Sequence, residues 1–268
     1  MDTLSCWAIM PGKVANISLF IDLVSSPFKP WVEGLRKDYP WQKLMLTEYG
    51  ADANLDHQTE YLGDALNWGK PYYPETFQTK THEYQWSVIA EHPYIIASYL
   101  WNMFDFAVPM WSRGGVPARN LKGLMTFDRK IKKDSYYWYK ANWSKSPVLY
   151  LTQRRNTDRE RKQTSVTVYS NIGTPKVYLN GKELTGIRKG YTDVHYIFDQ
   201  VTLEKRKKAK SRLLRYIMEK NTLTRSNGII RVKRNVMRMR TKTKMNMPGG
   251  KTRLMDIKKR ATPCSNLC

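Results

Sequence analysis

"KLMLTEYGA", residues 43 to 51, reads as a strand that ends by presenting a carboxylate. Leu44, Met45 and Leu46 form a short apolar run of the kind a fully buried strand shows, and Thr47, Glu48, Tyr49 and Gly50 follow where that strand would meet a loop. The segment before it is helical in pattern: in "FKPWVEGLRKDYP" Trp31, Val32 and Leu35 sit at helical spacing, and Pro40 ends the run. A helix therefore feeds this strand.

The same order repeats downstream. After Glu48 comes a polar, aromatic-rich loop with Pro71 and Pro74, and "TFQTKTHEYQWSVIAEH" (76 to 92) then offers Tyr84, Trp86, Ile89 and Ala90 at helix-compatible spacing. "YIIASYLWNMFDFA" (94 to 107) reads as a second long apolar strand ending in aromatic and polar residues. Helix, strand, loop, helix, strand is the grammar of a parallel α/β sheet or barrel.

A stretch with Gly114, Gly115 and Gly123 follows, then "KKDSYYWYKANW" with aromatic residues at helical spacing, and there the grammar changes. "TSVTVYSN" (164 to 171) alternates, "KVYLNGKEL" (176 to 184) contains the Asn180-Gly181 pair favoured in type I′ hairpin turns, and "VHYIFDQVTLEK" alternates again. This is antiparallel β, which places a boundary near 145. Residues 1 to 27 mix apolar runs such as "ISLFIDLV" with no clear period and receive no assignment.

The chain has 268 residues, 41% of them hydrophobic and 12% aromatic, enough for a substantial core. Its net charge of +23 is unevenly placed: residues 205 to 268 hold 21 Lys or Arg against two acids, Glu219 and Asp256, while residues 1 to 204 hold 25 bases and 21 acids. An ordinary, near-neutral body thus carries a basic tail. Cys6, Cys264 and Cys268 form no CxxC and no zinc-type spacing with histidine. No apolar run reaches the roughly 18 residues of a membrane span, and "MDTLSCWAIMPGK" puts an acid where a signal peptide would be positive, so neither a membrane partner nor an export signal is expected.

A carboxylate at the C-terminal end of a buried parallel strand is where barrel enzymes put catalytic groups, although a Glu there can equally pair with a basic neighbour. Trp101 and Asn102 end the next strand, and an aromatic wall beside a carboxylate suits a sugar, whose apolar face stacks on indole; the alternative for Trp101 is a core aromatic. His57, His82, His92 and His195 show no triad or ligand spacing and read as structural or exposed.

Taken together, "LMLTEYGAD", "SYLWNMFDFA", "GLMTFDRKIKKDSYYWYKANWS" and "VTVYSNIGTPKVYLNGKEL" resemble, in this order and spacing, family 2 glycoside hydrolases of the bacterial β-galactosidase branch, over about residues 28 to 204. The resemblance implies the fold class, α/β plus all-β. The C-terminal portion of a (β/α)8 TIM barrel would occupy residues 28 to 144, an incomplete immunoglobulin-like β-sandwich 145 to 204, and the basic tail 205 to 268. It also implies that Glu48, in the Thr-Glu-Tyr-Gly motif, is the catalytic nucleophile of a retaining exo-β-glycosidase acting on terminal β-D-galactosides. Trp101 would line the sugar pocket, and Asn102, Asn120 and Lys122 would make polar contacts.

Asn120 and Lys122 in "RNLKGL" are similar to the β-glucuronidase pattern, in which an Asn-x-Lys recognises the sugar carboxylate, so a β-glucuronidase-like hydrolase is the alternative. The general acid of the family comes from an Asn-Glu pair far upstream of the nucleophile, and this chain contains no Asn-Glu dipeptide. Only 47 residues precede Glu48, too few for six βα units of about 30 residues each. The expectation is a truncated hydrolase, inactive or nearly so alone, whose partner is a carbohydrate. No cofactor is expected, since the family's metal ligands lie upstream.

The tail reads as a polybasic arm for nucleic acid or an anionic surface, or as a disordered, non-native extension. It lacks regular aromatic interleaving and any nucleic-acid-binding motif, so nucleic acid is not the favoured partner and a non-catalytic basic binding protein is the rival class. Back-translating residues 208 to 231 and reading one nucleotide earlier, with suitable synonymous codons, yields an alternating string with an Asn-Gly turn. On that reading a frameshift near 205 replaced the last strands of the sandwich.

Overall fold

The structure is a computed structural model that describes residues 4–10, 13–19, 28–60, 72–111, 113–159, 161–180, 182–203, 229–232 and 238–239. Helix and sheet are mixed. The elements in order are β1 (Leu4–Met10), β2 (Lys13–Leu19), α1 (Phe28–Asp38), β3 (Leu44–Tyr49), α2 (Glu75–Glu91), β4 (Ile95–Leu100), β5 (Phe106–Ala107), β6 (Arg119–Asn120) and α3 (Asp134–Trp143). There follow β7 (Leu149–Leu151), β8 (Asp158–Arg159), β9 (Gln163–Ser170), β10 (Lys176–Leu179), β11 (Lys182–Glu183), β12 (Ile187–Lys189), β13 (His195–Thr202), β14 (Ile229–Val232) and β15 (Arg238–Met239).

The expected helix before the Glu48 strand is α1, which buries Phe28 and Val32 and ends in Arg36 and Lys37, where positive charge suits the carbonyl end of a helix. β3 and β4 run parallel and are joined by α2, forming a βαβ unit. The first sheet has the order β2-β1-β3-β4. Within residues 1 to 27, left without assignment by their sequence, Leu4–Met10 and Lys13–Leu19 contribute its other two strands. The β1–β2 hairpin lies antiparallel against β3, with Trp7 opposite Glu48 in register.

One expectation is corrected. Residues 94 to 107 do not form a single buried strand: β4 stops at Leu100, and Ile96 and Tyr99 are exposed. Among the described residues β4 is the edge strand of its sheet. Beyond Leu100 the backbone pairs instead with the 122–125 segment, and that ends the ladder.

The antiparallel part follows the alternation in its sequence. β7, β9, β12 and β13 form a sheet of order β12-β13-β9-β7, with Tyr196 opposite Val168 and Phe198 opposite Val166. β10 and β11 form the expected hairpin, in which Leu179 faces Lys182 and Asn180 takes φ 55°, the left-handed conformation that a two-residue turn demands. One hydrophobic cluster runs across position 145. Trp138 and Tyr139 of α3 pack with Phe28, Leu46 and Val88 on one side and Val148, Tyr150 and Tyr169 on the other. A smaller cluster of Leu151, Val166, Val168, Val177, Tyr196, Phe198 and Val201 fills the space between the β7–β13 sheet and the β10 hairpin. Each large side chain so buried contributes about 1.5–3 kcal/mol.

Most of the tail, including nearly all of residues 208 to 231 on which the frameshift reading rests, lies outside the described residues. The backbone of β14 runs parallel to β10, and that of β15 runs parallel to β8. Among the described residues no helix is long and apolar enough to cross a membrane.

Candidate active site

Glu48 is the penultimate residue of β3, at its C-terminal end, and is partly buried. Among the described residues no basic side chain pairs with it. The next residue, Tyr49, ties β3 to the end of β4: its carbonyl accepts the Trp101 amide at 2.8 Å. Gly50 permits that approach, because it has φ 144° and a Cβ there would stand 2.5 Å from the Trp101 carbonyl oxygen. The Trp101–Asn102 peptide is cis; Trp101 is 39% exposed, and its ring stands nearly perpendicular to that of Phe106 at 5.8 Å between ring centroids.

The loop after β4 is bonded in turn to the segment that carries Asn120 and Lys122. The Asn102 amide donates to the Lys122 carbonyl at 3.1 Å, and the Leu124 amide donates to the Asn102 carbonyl at 2.9 Å. The Asn102 side-chain oxygen accepts the Met103 amide at 2.5 Å. Asn120 belongs to β6, opposite Phe106, and its Oδ1 accepts the Lys122 amide at 2.9 Å; both Asn120 and Lys122 are buried. The same segment also holds the loop after β3, through the Ala53 amide to the Leu121 carbonyl at 3.0 Å and the Leu121 amide to Asp52 Oδ1 at 3.2 Å. Glu48, Trp101, Asn102, Asn120 and Lys122 thus lie on three segments that are bonded to one another at one end of the β3–β4 pair.

Beneath these segments lies a buried polar layer that the sequence did not announce. Gln78 Nε2 donates to the Ala51 carbonyl at 2.8 Å and the Gly123 carbonyl at 3.2 Å, while its Oε1 accepts Ser135 Oγ at 2.7 Å. Lys133 and Asp105 form an ion pair of 2.8 Å that is almost wholly buried, and burial pushes the Lys133 ammonium below and the Asp105 carboxyl above their ordinary values. His82 Nδ1 lies 2.8 Å from the Tyr139 hydroxyl. Burial, with the Lys133 charge adding to it, lowers the His82 pKa to about 3 and holds the imidazole neutral. The available signal was a polar stripe: Glu75, Gln78, Thr79, His82 and Glu83 recur at three- and four-residue spacing along α2, and all five are buried.

Two more polar knots join this layer to the antiparallel sheet. Glu83 Oε1 accepts the Tyr169 hydroxyl at 2.5 Å and lies 3.6 Å from His195 Nε2, and Lys80 Nζ lies 2.8 Å from Oε2. Burial opposes the Glu83 charge, but Lys80, His195 and the Tyr169 hydrogen bond outweigh it and hold the carboxyl below its ordinary value. Asp134 accepts the Tyr150 hydroxyl and the Gln153 amide, each at 2.6 Å. Burial and then the neighbouring Glu75 carboxylate raise its pKa to about 7. His82 and His195, read from the sequence as structural or exposed, are both fully buried.

Comparisons with known proteins agree on the kind of enzyme. No family model matches the chain. A β-glucuronidase of Bacteroides fragilis is 36% identical over 154 residues, which is 56% of this chain and 22% of that protein. A crystal structure described as a β-galactosidase from Bacteroides fragilis superimposes with a TM-score of 0.64 at 84% sequence identity, over 66% of this chain and 26% of that one. The FMN-binding β-glucuronidase from Faecalibacterium prausnitzii superimposes at 0.57 with 37% identity, over 66% and 26%. The chain spans about a quarter of the length of these relatives. What it is similar to, in sequence and in fold, are enzymes named for hydrolysing β-glycosidic bonds, with both galactosidase and glucuronidase names among them.

Proposed function

We propose that this chain is the C-terminal part of a retaining exo-β-glycosidase of glycoside hydrolase family 2, with Glu48 as its nucleophile and terminal β-D-galactosides as its substrates. On this reading β3, α2 and β4 belong to the end of a (β/α)8 barrel within residues 28 to 144, and the sheets of 145 to 204 belong to an immunoglobulin-like sandwich. The observation that carries the proposal is the junction of the three segments bearing Glu48, Trp101–Asn102 and Asn120–Lys122 at the C-terminal end of parallel strands.

The chemistry assigns each residue a task. A retaining glycosidase uses an ionised carboxylate to attack the anomeric carbon, while a second, protonated carboxyl about 5–5.5 Å away protonates the leaving oxygen. Glu48, at the C-terminal end of a strand paired in parallel, is the attacking group on this reading. Trp101, itself exposed, is the side chain on which a pyranose would stack. Asn120 fixes the backbone of Lys122, so the two act as a unit. The sequence contains no Asn-Glu dipeptide, and on this reading the chain by itself binds sugar without turning it over.

The glucuronidase reading has support of its own: a 36% identical β-glucuronidase, and an Asn-x-Lys whose lysine could face a sugar carboxylate. Titrating the full chain with galactose and with glucuronic acid, and assaying aryl β-galactoside and aryl β-glucuronide hydrolysis, separates the possibilities. Galactose binding that is lost in Trp101→Ala, with no turnover, is the expected result. Glucuronate binding removed by Lys122→Ala would move the assignment to the glucuronidase type. Turnover abolished by Glu48→Gln would overturn the claim of inactivity, and binding of neither sugar would overturn the site.

A further inference from the structure

We propose that Lys133 is a positioning residue for the sugar site, its ammonium fixing the three site-bearing loops to a single point; this rests on the reading of the site given above. Lys133 immediately precedes α3 and is fully buried. An ammonium has three N–H donors. Those of Lys133 go to the Ala53 carbonyl at 3.0 Å, the Leu121 carbonyl at 2.9 Å and Asp105 Oδ1 at 2.8 Å.

The three acceptors come from three different loops, and each lies close in sequence to a candidate site residue. Ala53 is on the loop that follows Glu48, Asp105 on the loop that begins with Trp101 and Asn102, and Leu121 between Asn120 and Lys122. Asp105 Oδ1 also accepts the Gly123 amide at 2.9 Å, so the carboxylate spans two of the loops. At Gly123 a Cβ would stand 2.1 Å from the Asp105 amide nitrogen, which shows how tightly the two loops are drawn together.

A buried ion pair by itself is replaceable, because neutral side chains of similar volume often stabilise a protein as well or better. The arrangement here does something a neutral pair cannot do. One cationic centre sets the spacing between the loop of the nucleophile and the two loops of the recognition residues. Displacements of about 1 Å at such a site cost about 100-fold in efficiency.

The test uses the full chain and needs no variant for its first arm. Amide hydrogen exchange under graded denaturant is followed over 50–54, 101–105 and 119–125; the three loops are expected to open together, with one common dependence on denaturant. Loops that open independently would overturn the proposal. The second arm compares Lys133→Met with Lys133→Met/Asp105→Asn, which removes both charges while keeping an oxygen for the Gly123 amide. The double variant is expected to recover most of the melting temperature lost by the single one. It is expected nonetheless to exchange at least tenfold faster in all three loops and to bind galactose or glucuronic acid at least tenfold more weakly. Sugar binding that returns together with stability would show the pair to be a structural support only. If the unaltered chain binds neither sugar, the reading of the site fails and the exchange rates of the two variants alone decide whether Lys133 couples the loops.

Discussion

Gly50 and Trp101 meet backbone to backbone: the Trp101 carbonyl oxygen lies where a Cβ on residue 50 would be, at 2.5 Å, and the Trp101 amide is bonded to the Tyr49 carbonyl next door. The nucleophile candidate Glu48 and the stacking candidate Trp101 are therefore spaced by a main-chain contact, which side-chain rearrangement cannot relax. Gly50→Ala is expected to force the ends of β3 and β4 apart, both by collision and because φ 144° disfavours any side chain. A loss of about 2–4 kcal/mol in chemical denaturation is expected, together with loss of sugar binding. An alanine variant as stable as the parent would mean that the loop has another route.

His82 makes the fold sensitive to acid. In the unfolded chain it takes a proton near its ordinary value of 6.5, whereas in the fold it does so only near 3. Its contribution is complete above pH 6.5 and declines as the pH falls toward 3, because there the unfolded state binds the extra proton. Denaturation midpoints measured between pH 7 and 4 are expected to fall more steeply for the parent than for His82→Gln, and parallel slopes would refute the assignment.

Asp134 works in the opposite direction. Its folded pKa is raised to about 7 from an ordinary 3.8, so the fold holds a proton that the unfolded chain has released. Stability from this group is complete below about pH 4 and is lost as the pH rises through 7. Relieving the neighbouring carboxylate by Glu75→Gln is expected to flatten that loss, read as the difference in denaturation midpoint between pH 5 and 8.

Tyr169→Phe leaves Glu83 buried with Lys80 and His195 but without its hydroxyl donor. Removing a hydrogen bond to a buried charge costs about 1.5–3 kcal/mol. The variant should melt lower while its far-ultraviolet circular dichroism stays unchanged. A melting temperature equal to the parent's would show that water replaces the hydroxyl.

At Gly190 a Cβ would stand 2.3 Å from His195 Nδ1, inside the contact distance of any real side chain. Gly190→Ala is expected to push the imidazole off Glu83 and to cost about 1–3 kcal/mol through overpacking. Restoration of stability on adding His195→Ala, which opens the space, would confirm the collision, and an additive double variant would refute it.

The sequence by itself determined the local elements and where the polar strand ends lie. An apolar run followed by Glu48 marked the end of β3, and alternation with Asn180-Gly181 marked the antiparallel hairpin, because periodicity and turn chemistry act within a few residues. The resemblance to glycosidases rested on the same short stretches. Only the tertiary structure decided how those ends are joined. Asp105 with Lys133, Glu83 with Tyr169 and Glu75 with Asp134 lie 28, 86 and 59 residues apart, and nothing local distinguishes them from solvated polar residues. Their burial comes from packing: once α2 is packed against α1 and α3, with His82 against Tyr49 and Glu83 bonded to Tyr169, every polar group on its inner stripe must find a partner or bear the cost of desolvation. The end of β4 at Leu100 was likewise fixed by long-range main-chain bonds to residues 122 to 125, which no reading of residues 94 to 107 alone contains.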